Sequence, residues 1–137
     1  MIFIDANVPM YLVGREHPHK VDARLALEWL TAERRRLVTN AEVFQEILHR
    51  YISIDRRDKI ELAFETLRGL VDEVIAIEEA DAFLAKDLVH THPLLSPRDA
   101  LHVAVMRRTE ITQILSFDRG FDTVAGIKRL PASRLPA

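Results

Sequence analysis

The 137-residue chain is long enough to bury a real core and is most simply one domain spanning residues 1–137. Its 48% hydrophobic and 29% charged residues suit a soluble globular protein, and no apolar run approaches the roughly 20 residues of a membrane span. Cysteine is absent, which excludes disulfides and thiolate metal sites and fits a cytoplasmic location, while the formal net charge of −2 excludes a strongly basic field for nucleic acid.

In chain order, Ile2–Asp5 is expected as a first buried strand, and Ala6–Val13 as a short helix that tolerates Pro9 in its first turn. The opening MIFIDA lacks the basic n-region and long apolar h-region of a secretory leader. REHPHK is expected as a loop. Val21–Arg34 then carries an apolar stripe of helical period. Leu37–Thr39 is a second short strand. Ala41–Ile52 and Arg56–Leu70 are amphipathic helices, with Val74–Ile77 a third strand. Glu79–His90 is helical, THPLLSPR is a loop, and Asp99–Arg108 is a helix apolar almost all round. Gln113–Phe117 and Ile127–Leu130 complete the strands, and PASRLPA (131–137) is expected to fray. Alternating strands and helices predict an α/β protein: a central parallel sheet of four to five short strands flanked by helices on both faces, an α/β/α sandwich.

In such sheets the working site lies beyond the carboxyl ends of the strands. Asp5 ends the first strand and Asp118 the fourth, Asp99 opens the apolar helix, and Glu46 lies on the helix after the second strand. Carboxylates crowded together raise one another's pKa, and a divalent cation removes that conflict. Oxygen ligands without Cys suit Mg²⁺ or Mn²⁺ better than Zn²⁺. Each acid also fits a structural role. Asp5 fits an N-cap, Asp99 a near-capping-box after Ser96-Pro97, Asp118 an ordinary turn before Arg119-Gly120, and Glu46 a solvated helix position with Glu42 as its rival. Their joint placement is what favours a site.

FIDAN at the start, AEVFQEIL, SPRDALHVAVM, and ILSFDRGFD followed by GIKRL stand in an order and spacing that resemble the PIN-domain nucleases, and within them the VapC toxins of toxin–antitoxin systems. The resemblance spans nearly the whole chain. It maps the family's acidic positions onto Asp5, Glu46, Asp99 and Asp118, and a further acidic position, less securely, onto Asp122. Ser116 matches a small hydroxyl residue before the fourth acid, and Asn7 a polar residue two after the first. His102 stands where many VapC-like sequences carry an aliphatic residue and is assigned no catalytic part. The resemblance implies Mg²⁺- or Mn²⁺-dependent endonucleolytic cleavage of RNA, inhibition by a cognate VapB-type antitoxin, and homodimerisation. Asp5, Asp99 and Asp118 would then contact metal, Glu46 would ligate metal or position water, and Ser116 would support them through hydrogen bonds.

Two bound divalent cations would turn the formal −2 into roughly +2. Arg15, Arg98 and Arg119 neighbour the expected site loops and are candidate RNA contacts, whereas Arg34–Arg36 and Arg56–Arg57 read as solvated helix ends. Tyr11 fits either base stacking or a helix core. The pairs His17/His19 and His90/His92 are loop histidines by default, with adventitious Zn²⁺ as the alternative. Apolar excess over Ala41–Leu70 fits a broad core face or a groove for a partner. A non-catalytic RNA-binding module of the same fold is the alternative function. A haloacid-dehalogenase-like phosphatase is disfavoured because Asp5-Ala6-Asn7 lacks D-x-D, and a receiver domain because Ser116-Phe117-Asp118 offers no Lys.

Overall fold

The computed structural model describes residues 1–130, so the expectation for the 131–137 tail lies outside the described residues. The elements are β1 (Ile2–Ile4), α1 (Asn7–Val13), α2 (Pro18–Ala32), β2 (Leu37–Asn40), α3 (Ala41–Ser53), α4 (Ile60–Leu70), β3 (Glu73–Ile75), α5 (Glu79–Thr91), α6 (Pro97–Arg108), β4 (Gln113–Leu115) and β5 (Lys128–Leu130). Short 3-10 turns occupy Arg57–Lys59 and Arg119–Thr123.

The five strands form one sheet in the order β3-β2-β1-β4-β5, and all four pairings are parallel. The expected α/β fold and parallel sheet are borne out. Ile2–Ile4 and Leu37–Asn40 are buried at every position, as central strands covered on both faces must be. The edge strands β3 and β5 start exposed and end buried. Helix α6 presents Ala100, Val103, Ala104, Val105 and Met106 to the interior, which explains its apolar circumference. Its last-turn Arg108 grips the buried Asp81 through two hydrogen bonds of 2.9 and 3.0 Å and donates to Ala76 O at 2.8 Å, tying α6 to the start of α5. Among the described residues no helix is long and apolar enough to cross a membrane.

Several boundaries differ from the sequence expectations, each for a local reason. Helix α2 begins at Pro18 inside the expected REHPHK loop, because His17 Nδ1 accepts the His19 N–H and Pro18 takes the first helical position. The helix expected over Arg56–Leu70 starts as a 3-10 turn. Asp55 has a left-handed φ of 57°, and the Arg56 guanidinium pairs with Asp58 at 3.0 Å, which interrupts the α ladder. The first strand stops at Ile4, leaving Asp5 just beyond it. The fourth stops at Leu115, leaving Ser116 and Asp118 on the turn that follows.

That turn is pinned from below by Phe121, which is fully buried, and pressed from above by close backbone approach. A Cβ at Gly120 would meet Leu94 O at 2.9 Å, so only glycine fits there. Phe121→Ala is expected to cost about 3–5 kcal/mol of stability. Urea unfolding of the purified variant measures this, and a loss under about 1 kcal/mol would show that the turn is not anchored there.

Candidate active site

The strand order reverses between β1 and β4, and the crevice at their carboxyl ends is where open α/β sheets bind ligands. Asp5 and Ser116 emerge side by side there, since Ile4 pairs with Leu115 and the Asp5 N–H reaches Leu115 O at 3.2 Å. Asp5 is 2% exposed, and its carboxylate is held on both oxygens. Oδ1 accepts the Ala6 N–H at 2.8 Å. Oδ2 accepts the Ser116 hydroxyl at 2.6 Å and faces Asn7 Nδ2 at 3.5 Å. Ser116 Oγ in turn accepts from Asn7 Nδ2 at 3.3 Å and from the Asp118 N–H at 3.0 Å. Its one proton and both acceptor positions are used, so the hydroxyl cannot rotate freely. The N-cap position of α1 is Ala6 and not Asp5. The Asp5 carboxylate serves the crevice instead.

Asp99 satisfies two expectations at once. Its backbone N–H is capped by Ser96 Oγ at 3.1 Å, with Pro97 at the first position of α6, while its own carboxyl projects into the crevice at 6% residue exposure. Glu46 arrives from α3 and is the least enclosed member, with its side chain 21% exposed. The rival Glu42 pairs with Arg98 at 3.2 Å, and it is Glu46 that stands with the other acids. Ligand-capable atoms of Asp5, Glu46, Asp99 and His102 all lie within 4.8 Å of one another, the one such group among the described residues. Asp118 stands outside that compact set but lines the same cleft, close enough to Asp99 to help raise its carboxyl. Its Oδ1 accepts the Gly120 N–H at 2.8 Å as the cap of the 3-10 turn, so the turn role expected of it holds as well.

The electrostatics follow from this crowding. Burial lifts the Asp5 carboxyl above the ordinary range and the Glu46 charge adds to the effect, against the opposing pull of His102, Ser116 and the Ala6 N–H. Asp99 is pushed up to about 9, first by burial and then by the neighbouring Asp118 carboxyl and the charges of Asp5 and Glu46. Without a cation the cluster therefore retains a proton near neutrality. A hard divalent cation fits such a set of carboxylate oxygens, because it replaces that proton and lets the acids ionise together.

The cleft over the acids has a volume of about 680 Å³. Tyr11, His17, Arg50, Tyr51, Arg56 and Lys59 also line it. Arg15 lines it as expected. Arg98 does too, but it is spent on Glu42 and Gln45. Arg119 begins the 3-10 turn on the surface and is not among the lining residues. Asp122 faces Arg129 in a two-pronged pair at 2.9 and 3.1 Å; Arg129 Nη1 donates to Ser116 O at 3.2 Å, so Asp122 reaches the crevice through Arg129. Tyr11 packs edge-on against Phe117, with ring centroids 5.1 Å apart, and also borders the cleft.

Sequence reasoning missed Arg50, Arg56 and Lys59 as cleft residues, and it set His102 aside. His102 is fully buried at the centre of the acids. Its signal was its position three residues after Asp99 on one helix, which places the two side chains on the same face.

The fold and the acid cluster define a PIN domain, and residues 2–127 match that family. The chain belongs to the PIN-domain family, and within it stands with the VapC proteins. It is 55% identical to Ribonuclease VapC13 of Mycobacterium tuberculosis over 130 residues, covering 95% of this chain and 99% of that one. It is 43% identical to Ribonuclease VapC23 of Mycobacterium tuberculosis over 118 residues, 86% of this chain and 93% of that one. The structure of VapBC2 from Rickettsia felis bound to a DNA fragment from their promoter shares the fold, with a TM-score of 0.71 at 12% identity over 95% of this chain and 98% of that one. The resemblance read from the sequence is thereby borne out.

The raised Asp99 carboxyl has a thermodynamic sign. Between its ordinary 3.8 and about 9 the metal-free folded state binds more protons than the unfolded state, so stability falls as pH rises through that window. Melting temperatures of the EDTA-treated protein across this range are expected to decline more steeply for wild type than for Asp99→Asn, and the variant is expected to melt higher at neutral pH. Parallel wild-type and variant curves would show that no excess proton is held at the cluster.

Proposed function

We propose that this chain is a VapC-type endoribonuclease toxin that hydrolyses RNA phosphodiester bonds with Mg²⁺ or Mn²⁺ and is neutralised by a VapB-type antitoxin in the cytoplasm. The observation that carries the proposal is the convergence of Asp5, Glu46 and Asp99 within 4.8 Å of one another at the switch point of the sheet. Membership of a family whose relatives are named ribonucleases points the same way. When bound, the cation would supply activation of water and stabilisation of charge on the reacting phosphate and the leaving oxygen.

The protein's own part is placement. Asp5, Asp99 and Asp118 would hold the metal, and the Ser116 hydroxyl and Asn7 keep Asp5 in one orientation for that task. Glu46, the most solvent-accessible of the compact set, would orient the attacking water and take its proton at the carboxylate. Water would attack phosphorus as the bond to the leaving ribose oxygen breaks, and that oxygen would take up a proton from solvent. Arg15 and Arg50 on the cleft wall would bind the flanking phosphates, with the Asp58-paired Arg56 beside them. Exposed Ile52, Ile54 and Leu62 on and beside α3 and α4 support a partner surface there, for a second copy of the chain or the antitoxin. Solution mass with and without the antitoxin tests that assembly.

The decisive assay is cleavage of end-labelled structured RNA by antitoxin-free protein in Mg²⁺, Mn²⁺ and EDTA. Cutting is expected with either metal and none with EDTA, and Asp5→Asn and Asp99→Asn are expected to fall to the no-enzyme level while staying folded. Cutting that survives in both variants would refute the site. Binding of the same RNAs without cleavage by wild type would favour the non-catalytic module.

A further inference from the structure

His102 is fully buried, polar, and surrounded by groups that leave it little choice of hydrogen bonding. Asn40, the last residue of β2, is also the N-cap of α3, and its Oδ1 accepts the Val43 N–H at 3.0 Å. That bond fixes the amide, because turning it over would point its NH₂ at the Val43 N–H. Asn40 Nδ2 therefore faces His102 Nδ1, 3.0 Å away, as a donor. Nδ1 must accept, so the imidazole proton lies on Nε2. Nε2 points into the acid cluster, 3.4 Å from Glu46 Oε1 and 3.9 Å from Asp5 Oδ1. Phe3 closes one side of the ring, with centroids 5.3 Å apart, and the surrounding core is apolar.

We propose that His102 is a positioning residue of the nuclease site: the Asn40 cap of α3 locks it as the Nε2–H tautomer, and Nε2–H holds the Glu46 carboxylate in place instead of ligating metal. The chain of donors runs one way, from the Val43 N–H to Asn40, from Asn40 to His102, and from His102 to Glu46. A lone pair at Nε2 would be needed for a metal bond, and the helix cap denies it. The site is thus read as carboxylate-only, although His102 stands close enough to be mistaken for a ligand. Glu46, the least enclosed of the acids, has no other side-chain hydrogen bond among the described residues to fix its rotamer within the crevice. Residues that orient metal ligands through hydrogen bonds typically matter by 10–100-fold.

The role in cleavage rests on the nuclease proposal; the proton assignment does not. Nitrogen-detected NMR of the imidazole in the wild-type protein is the first test. Nδ1 is expected to show an unprotonated-type shift and Nε2 a protonated-type shift, both with and without saturating Mg²⁺. A protonated Nδ1, or an Nε2 that loses its proton when Mg²⁺ is added, would overturn the proposal. In Asn40→Asp the new carboxylate still accepts the Val43 N–H but can only accept from the ring, so Nδ1 is expected to become protonated; an unchanged Nδ1 would also overturn it. For cleavage, His102→Leu is expected to lose roughly 10–100-fold in kcat with melting behaviour preserved, and His102→Gln, which keeps an N–H donor, to recover most of that loss. Wild-type rates in His102→Leu, or a Gln variant no better than Leu, would refute the positioning role. A wild-type protein that cuts no RNA would sink the nuclease proposal and with it the role in cleavage, while the nitrogen shifts would still decide where the proton lies.

Discussion

Mutual repulsion among buried carboxylates is the constraint around which this protein is built. Asp5 and Asp99 are almost fully enclosed and Glu46 is largely enclosed, within a few ångströms of one another. Burial and like charge both oppose ionisation there. The surrounding groups respond by donating: the Ala6 N–H, the Ser116 hydroxyl and the His102 ring all turn toward the acids. What they leave uncompensated is the cluster's remaining negative charge, and that remainder is what a divalent cation would satisfy. An Asp at the end of a buried strand is a liability to folding and an asset to binding for the same physical reason.

The helix caps and the site are made from the same residues. Asn40 caps α3 and orients His102; Ser96 caps α6 and frees the Asp99 carboxyl; Asp118 caps the final 3-10 turn while bordering the cleft. The starts of α3, α6 and the final 3-10 turn are therefore fixed by groups in or next to the crevice. This doubling gives precision without loops of any length around the acids, since a side chain cannot drift from the cluster unless a helix end frays. It also means that substitutions at Asn40 or Ser96 act on fold and site together.

The cleft carries both signs of charge. The acids at the strand ends share it with Arg15 just after α1, Arg50 on α3, and Arg56 and Lys59 in the turn after α3. A polyanion can lie on such a surface with one phosphate over the acids and its neighbours over the cations. The small net negative charge of the whole chain conceals this local concentration of acids and bases around one cleft.

Local sequence determined a good deal by itself. Apolar period and chain alternation were enough for the α/β class and the parallel sheet, and Ser96-Pro97 marked the start of α6 in chemistry that acts within one turn. The placing of Asp5 and Asp118 at the carboxyl ends of strands followed from the strand pattern, and the motif order carried the family. Boundaries such as the early start of α2 were legible in His17-Pro18 but overruled in the sequence reading by the loop-like run REHPHK. Tertiary structure alone decided which charges were free. Glu42 and Glu46 lie one turn apart and look equivalent until Arg98, from a distant helix, takes Glu42. Arg56 reads as a solvated helix end until the fold turns it along the cleft. His102 reads as one more position on an apolar helix, and only the approach of Asn40 and Glu46, each about 60 residues earlier, gives its ring a direction. Periodicity reports which face of an element is buried; partners that meet across the fold are set by packing, which no local pattern encodes.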